Sequence, residues 1–272
     1  MVIIVKRIIP YIYTSVIWFI VMIPLGFLLV NSFRSTGDLL RGFINMPREL
    51  TLENYITIIV DNNGLRYLIN SIIVTAGSII LSFVITPYFA FLITIRWSGK
   101  TYRILYTIIA SCMFIPENVL LFPLIKVFYT FHLMNYAGLF LYYAVFLIPG
   151  NLFILVPYFK TVDKDILCAA QLDGCSEINL FYRVFLPIFK PIITTVLIIN
   201  TIWIWNDFLL PLLVLSKTPE LWTIPIFIYN YVGRGSFGKN LAFSACQLAL
   251  LPIIVFYGVF NKIIMNGLKY IK

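Results

Sequence analysis

The stretch YLINSIIVTAGSIILSFVITPYFAFLITI, residues 67–95, contains one glycine, one proline and no charged residue. An α-helix rises about 1.5 Å per residue, so about 20 apolar residues cross a hydrocarbon core about 30 Å thick. The next residues, RWSGKTYR at 96–103, hold Arg96, Lys100 and Arg103 and no acid. This pattern predicts a membrane-spanning helix that ends in a short basic turn.

Five further apolar stretches extend this reading to the whole chain, at residues 8–29, 104–128, 138–159, 191–215 and 241–264. Of the 272 residues, 61% are hydrophobic and 11% charged, whereas soluble domains carry about 25% charged residues. The apolar runs are continuous and do not alternate over about 10 residues, which favours helices over a membrane barrel. We therefore predict an all-α, polytopic membrane protein with six transmembrane helices in a single domain, residues 1–272.

The positions of the basic residues predict the orientation of the chain. The turn at 96–103 is the clearest signal for a cytoplasmic loop, and it places both termini in the cytoplasm. The first apolar run is too long for a cleavable signal peptide, so it is expected to remain as an anchor. The formal net charge of +9 is then explained by the basic residues that keep loops on the inner side and contact anionic lipid. A nucleic-acid partner is not needed to explain it. We expect a multi-pass protein of the bacterial plasma membrane.

Several enzyme classes are excluded by simple counts. The four cysteines have no CxxC spacing, and the single histidine, His132, rules out a histidine-based zinc site. Gly99-Lys100-Thr101 resembles the end of a phosphate-binding loop. That loop requires a second glycine five residues earlier, and this position holds Thr94. The chain therefore has no ATP-binding motif and needs no metal or cofactor of its own, and energy must come from a partner.

The segment at residues 160–190 lies inside under this orientation and reads as a helix, a turn and a second helix. Asp163 can cap a helix through Ala170, Gly174 can adopt the positive φ that ends it, and Ser176 can cap a helix towards Pro187. The small pair Ala169 and Ala170 is expected to be exposed, which would let another protein approach the backbone closely.

This segment resembles the cytoplasmic "EAA" loop of ABC-transporter permeases. That pattern is EAA, three residues, Gly, nine residues, an aliphatic residue, any residue and Leu-Pro, and here Ala169-Ala170, Gly174, Val184 and Leu186-Pro187 have the same spacing. Residues 50–59 (LTLENYITII), 70–74 (NSIIV) and 205–215 (WNDFLLPLLVL) resemble the carbohydrate-type permeases of the maltose and multiple-sugar kind. The resemblance covers nearly the whole chain.

The resemblance implies an ABC type I importer permease that forms half of a translocation path. Its implied partners are a second permease in a heterodimer, two ATP-binding subunits that hold ATP and Mg²⁺, and an extracytoplasmic solute-binding protein. One position departs from the family pattern, because Leu167 and Cys168 replace the usual glutamates. We therefore expect mainly apolar docking of the ATPase. The residues expected to couple to it are Asp165, Leu167, Cys168, Ala169, Ala170, Asp173, Gly174, Leu186 and Pro187.

Two acids fall within the predicted spans, at Glu117 and Asp207. A charged side chain costs about 2.5–3.5 kcal/mol at mid-bilayer on insertion scales, so each should face a cavity or an interface. Pro116 and Pro123 are expected to break the third helix beside Glu117. Amides and indoles in the same spans suit a polyhydroxylated ligand, although each amide could instead bond helices together. The candidate path residues are Glu117, Asn118, Asn151, Asn200, Trp203, Trp205, Asn206 and Asp207.

Two other segments are predicted on the outer side. Residues 32–66 are expected to form a small folded cap, and residues 216–240 form a loop rich in aromatics and glycine. The resemblance implies that the second loop contacts the solute-binding protein. The candidate contact residues are Trp222, Tyr229, Tyr231, Gly233 and Gly235.

Three other functions remain open from the residues alone. A permease for a non-sugar solute such as an amino acid or peptide would share the cytoplasmic segment, although a charged solute would favour intramembrane Lys or Arg. A membrane-embedded enzyme would need paired catalytic groups, whereas Glu117 and Asp207 lie on different predicted helices. A scaffold subunit would not need buried acids.

Overall fold

The computed structural model describes residues 2–172, 174–233 and 239–268, and it is helical nearly throughout. Its helices are, in chain order, α1 (Val2–Ser32), α2 (Thr36–Leu39), α3 (Glu53–Ile56), α4 (Gly64–Ile95), α5 (Lys100–Ser111), α6 (Glu117–Thr130), α7 (Tyr136–Phe146), α8 (Ile148–Phe159), α9 (Lys164–Leu172), α10 (Glu177–Asn179), α11 (Leu186–Asn206), α12 (Leu209–Val214), α13 (Ile224–Gly233) and α14 (Lys239–Leu268). No strand occurs in these described ranges, where a single bridge joins Arg34 to Leu50.

Five helical stretches in the described residues are long and apolar enough to cross a membrane. They are Pro10–Ser32, Gly64–Ile95, Tyr136–Phe159, Glu177–Asn206 and Asn240–Phe260. A sixth span arises if the pair Lys100–Phe114 and Glu117–Thr130, bent by 101°, counts as one. These positions agree with the six apolar stretches of the sequence, with differences at the third and the fifth.

The third predicted span is broken just before Glu117. Ile115 and Pro116 are extended, with ψ of 119° and 130°. Proline disfavours helical geometry in the residue before it, which explains the break. The prediction of a second break at Pro123 is wrong, because α6 continues through Pro123 to Thr130.

The fifth predicted span, residues 191–215, is displaced at both ends. A continuous helical stretch begins at Glu177, passes through a π-helical turn at Leu180–Phe185 and ends at Asn206. The wider π turn lies directly before Pro187, where the proline ring removes an N–H donor and crowds the preceding turn. The second helix predicted for residues 160–190 is therefore the start of the fifth span. Asp207 then ends it with an extended backbone.

The described chain divides into two compact units. One comprises the residues up to Leu68 together with Ile224–Pro252, and the other comprises Ile69–Thr223 with the residues from Ile253 onward. The second unit contains a buried hydrophobic cluster that includes Phe91, Phe159, Phe185 and Phe189, whose ring centroids lie 4.5–4.8 Å apart between neighbours in T-shaped or tilted pairs. We call the whole cluster, which also contains aliphatic residues such as Leu152, Leu155 and Leu180, the aromatic core. Sequence-distant helices α4, α8 and α11 meet there.

The segment at 32–66, which we call the cap, contains α2 and α3 and is built around a buried arginine. Arg34 is fully buried, and its Nε donates to the Asp38 carboxylate at 2.8 Å. Its other nitrogens donate to the Asn31 side chain and to the carbonyl groups of Asp38, Gly42 and Phe43. A buried guanidinium is tolerated when its donors are used in this way.

We expect Arg34→Met to destabilise the cap by about 3–5 kcal/mol, because it leaves the Asp38 carboxylate buried without its partner. Thermal unfolding of the purified protein, followed by protease sensitivity of residues 32–66, measures the loss. Arg48→Met is the matched control, because the Arg48 side chain is exposed and only its backbone N–H donates to Asp38. Equal stability of the two variants would contradict the structural role of Arg34.

The same ion pair makes the cap sensitive to acid. The hydrogen bond from Arg34 holds the pKa of the Asp38 carboxyl below its ordinary value of 3.8. Because the pKa is lower in the folded state, this stabilisation is present above the ordinary value and is lost as the pH falls through the folded one.

Candidate functional site

A ligand-sized cavity of about 1080 Å³ lies in the unit formed by Ile69–Thr223, beside the break between α5 and α6. Cys112, Pro116 and Glu117 line it from the break, and residues of α7, α8 and α11 complete the lining. A second cavity of about 440 Å³ shares Glu117, Ile199 and Trp203 with the first and adds Asn206 and Asp207. The broken helix therefore borders an open space, as expected from its prolines.

The two acids are held by neighbouring tyrosines of one helix. The Tyr142 hydroxyl donates to Glu117 Oε1 at 2.9 Å, and the Tyr143 hydroxyl donates to Asp207 Oδ2 at 2.7 Å. Asp207 Oδ1 also accepts from the backbone N–H of Leu209 at 3.1 Å. Although the acids lie far apart in the sequence, the tyrosines of α7 hold both of them beside the smaller cavity.

Two features near Glu117 stabilise negative charge on it, while its partial burial opposes the charged form. Glu117 lies in the first turn of α6, where the backbone N–H groups and the helix dipole attract negative charge. The Tyr142 hydroxyl adds a donor to one of its oxygens. Glu117 and Asp207 are both half-buried, so they remain reachable from the cavities that they line.

Aromatic rings form a stack next to these acids. The ring of Tyr142 stacks on Phe146 at 5.1 Å, and Phe146 stacks on Trp203 at 5.5 Å with an interplanar angle of 14°. Phe146 and Trp203 line the larger cavity. Flat aromatic faces of this kind accept the C–H face of a sugar ring or a cation.

Three predicted amides have a structural partner. Asn200 Nδ2 donates to Asn151 Oδ1 at 3.0 Å, and both side chains are buried, which ties α11 to α8. Asn206 Nδ2 donates to the Ile202 carbonyl of its own helix. All three also line a cavity, so packing and lining are combined in the same residues.

The other predicted path residues lie elsewhere. Asn118 is exposed and lines neither cavity, and Trp205 is 7% exposed and also outside both linings. Tyr142, Tyr143 and Phe146 were missed by the sequence reading. The available signal was the pair of adjacent phenols in the apolar run LYYAVF, because buried phenol hydroxyls need hydrogen-bond partners.

Helix α9 presents a mixed surface. Asp165, Cys168 and Ala169 are exposed, as are the large apolar residues Ile166 and Leu172. Leu167 and Ala170 are half-buried and pack against the aromatic core. The expected exposure of Ala170 is therefore wrong, because helical periodicity turns it inward one position after Ala169.

Gly174 ends this helix as predicted. Its φ is +75°, and the N–H of Cys175 donates to the Ala170 carbonyl at 3.1 Å. This is the 6→1 hydrogen bond of the Schellman motif, which ends helices at a glycine. Ser176 Oγ then accepts from the Asn179 N–H at the start of the next helix. Leu186 is half-buried against the aromatic core and Pro187 is exposed, whereas Asp173 lies outside the described residues.

Two contacts join the basic turn at 96–103 to the segment at 160–190. The Arg96 Nη2 donates to both carboxylate oxygens of Glu177 at 2.8 and 2.9 Å, and this hydrogen bond raises the pKa of Arg96. The Lys160 ammonium lies 2.8 Å from the centroid of the Trp97 ring, and burial lowers the pKa of Lys160. The basic turn therefore supports both ends of the segment that carries α9.

The loop at 216–240 contains more regular structure than expected, because residues 224–233 form α13. Trp222 is half-buried and its Nε1 donates to the Leu215 carbonyl at 3.0 Å, while Asn70 Nδ2 donates to the Trp222 carbonyl at 2.9 Å. Tyr229 is exposed on α13. The backbone of Tyr231 and Gly233 belongs to the end of α13, and Gly235 lies outside the described residues.

Comparison with known proteins agrees with this architecture. Residues 86–270 match the family described as "Binding-protein-dependent transport system inner membrane component". The multiple sugar-binding transport system permease protein MsmG of Streptococcus mutans is 33% identical, covering 95% of this chain and 94% of that protein. A probable starch degradation products transport system permease protein, AmyC of Thermoanaerobacterium thermosulfurigenes, is 30% identical, covering 89% of this chain and 87% of that protein.

Solved structures show the same fold at low sequence identity. A chain of a bacterial ABC transporter involved in the import of the acidic polysaccharide alginate superposes with a TM-score of 0.81 at 16% identity, covering 95% of this chain and 96% of that one. The predicted all-α importer permease fold is thereby confirmed. The protein is a multi-pass transport subunit of the bacterial plasma membrane and not an enzyme, and it belongs to the family of inner membrane components of binding-protein-dependent transport systems.

Proposed function

We propose that this chain is one permease subunit of an ABC importer for a sugar or oligosaccharide and that it forms half of the translocation path. The observation that carries the proposal is a pair of cavities joined by the shared lining residues Glu117 and Trp203, of which the larger is also lined by Phe146 and the smaller by Asp207. Carboxylates accept hydrogen bonds from sugar hydroxyls, and aromatic faces take the apolar side of the ring. The names of the sugar permeases that resemble the chain along nearly its whole length support the same class of solute.

The proposed complex contains a second permease as a heterodimer partner, two ATP-binding subunits that hold ATP and Mg²⁺, and an extracytoplasmic solute-binding protein. The alginate transporter has been solved with an alginate-bound periplasmic protein, which supports the last of these partners. We propose no alginate specificity for this chain, because a similarity at 15–16% sequence identity shows the fold alone.

Helix α9 is the proposed docking element for the ATPase. Its outer surface carries Ile166, Cys168, Ala169 and Leu172 beside the single acid Asp165. A partner pocket for this surface is expected to be apolar, because the glutamate usual at position 168 is absent. Closure of the ATPase dimer would move α9 as a rigid body, and its packing on the aromatic core would pass that movement to α4, α8 and α11.

The proposed function is tested by purifying the chain with the products of adjacent genes and reconstituting the complex in lipid. We expect a second permease and an ATPase to co-purify, and we expect a solute-binding protein loaded with an oligosaccharide to stimulate ATP hydrolysis. A panel that includes amino acids and peptides separates the alternatives. Stimulation by a peptide and by no sugar would overturn the sugar assignment, and absence of any co-purifying ATPase would overturn the importer assignment.

A further inference from the structure

The charged residues that line the two joined cavities are all acidic in the part of the chain that the structure describes. Among the described residues that line them, the ionisable acids are Glu117 and Asp207, and none is Lys, Arg or His. Asp207 already accepts hydrogen bonds at both oxygens. Among the described residues, Tyr142 is the one side-chain donor to Glu117, at Oε1, so Oε2 keeps its capacity for a ligand. Glu117 is also the acid common to both cavities.

The surroundings of Glu117 act on its charge in two ways. The first turn of α6 and the Tyr142 hydroxyl stabilise negative charge on Glu117, whereas the apolar residues that dominate the rest of the lining oppose it. In such surroundings a second negative charge is poorly screened, so a carboxylate on the solute is repelled. A protonated amine is attracted and offsets that opposition, and the Trp203 indole lines the same cavities as Glu117.

We propose that Glu117 selects the solute by charge. On this proposal, which rests on the proposed function, the path accepts oligosaccharides with protonated amino groups in preference to neutral ones and rejects those with carboxylate groups. The selection takes place inside the permease and is independent of the choice made by the solute-binding protein.

A cysteine already present in the cavity provides a direct measurement. Cys112 is exposed and lines the larger cavity together with Glu117. In the complete importer complex with its cysteines unaltered, the rate at which the uncharged reagent N-ethylmaleimide alkylates Cys112 is followed by mass spectrometry of the peptide that contains it. Three trisaccharides of matched size serve as probes: one of glucose, one of glucosamine with its amines protonated, and one of galacturonic acid.

We expect the glucosamine trisaccharide to protect Cys112 at a concentration about tenfold lower than the glucose trisaccharide, and the galacturonic acid trisaccharide to protect it at least tenfold less well. Glu117→Gln should bring the three concentrations together, while Glu117→Asp should keep their order. The order in the otherwise unchanged complex is a test in itself if Glu117→Gln fails to fold. Equal protection by the three probes, no protection by any probe, or an order unchanged in Glu117→Gln would overturn the proposal.

Failure of this inference is distinguishable from failure of the proposed function. Stimulation of ATP hydrolysis by the sugar-loaded binding protein, measured on the same complex, reports the function without reference to Glu117. Sugar-stimulated hydrolysis combined with charge-independent protection of Cys112 would overturn the charge selection alone. Absence of stimulation by every sugar in the panel would overturn the function itself.

Discussion

Replacing Gly174 by valine is expected to reduce solute uptake about tenfold or more while leaving membrane insertion intact. Gly174 has a φ of +75°, and a β-branched residue is strained there. Strain of this kind costs about 1–3 kcal/mol, which corresponds to a fall of about fivefold to a hundredfold in the population of the correct turn. Since this turn positions α9 and holds the bond from Cys175 to Ala170, the proposed ATPase contact should be lost with it.

The space around Gly174 allows the effect of backbone conformation to be separated from that of side-chain size. A Cβ atom added there would meet no atom within 4 Å, so a larger side chain causes no steric clash. Gly174→Asn is therefore the matched control, because asparagine tolerates positive φ far better than valine. We expect the asparagine variant to retain most of the uptake and to co-purify with the ATPase.

The measurements are uptake by intact cells, the amount of chain in the membrane, and the amount of ATPase that co-purifies. Normal uptake and normal co-purification of Gly174→Val would show that the segment at 160–190 does not couple through this turn. An equal loss in the valine and asparagine variants would show that the absence of a side chain matters and that the positive φ does not.

The double variant Glu117→Ala, Asp207→Ala is expected to lose uptake almost completely. Each carboxylate is accessible from the joined cavities, and hydrogen bonds to charged groups are worth about 1.5–3 kcal/mol. Loss of two such contacts with a solute lowers uptake by about a hundredfold or more at limiting concentration. Uptake is measured with a sugar that stimulates the reconstituted complex.

The two tyrosines supply the control for a purely structural role of the acids. Tyr142→Phe, Tyr143→Phe removes the same two hydrogen bonds and keeps both carboxylates. We expect this pair to lower stability modestly and to keep most of the uptake. Uptake at the original level in the alanine double variant would remove both acids from the path. An equal loss in the two double variants would assign the acids to helix packing.

Much of the fold could be predicted from local sequence. The length of an apolar run sets whether it can cross the membrane, and Tyr67–Ile95 in the sequence falls within α4 in the structure. The break before Glu117 follows from proline geometry in the same way. Pro123 shows where this reasoning ends, because one missing N–H can be tolerated inside a helix when neighbouring groups compensate.

The candidate site could be predicted only in part. The cost of burying charge marked Glu117 and Asp207 as residues that need a partner, and both line the joined cavities. Their partners could not be predicted, since Tyr142 is 25 residues from Glu117 and Tyr143 is 64 residues from Asp207. The rotation of each helix about its axis decides such pairs, and packing in the core sets that rotation.

The sequence by itself determined the membrane-spanning helices, the glycine-ended helix at 164–172 and the family to which the chain belongs. Each of these depends on composition, spacing or backbone preference within one stretch of chain. Only the tertiary structure decided that Ala170 and Trp222 turn inward, that Arg34 is buried, and that two acids on different helices border one space. Those outcomes depend on which surfaces remote segments present to each other, and no local pattern contains that information.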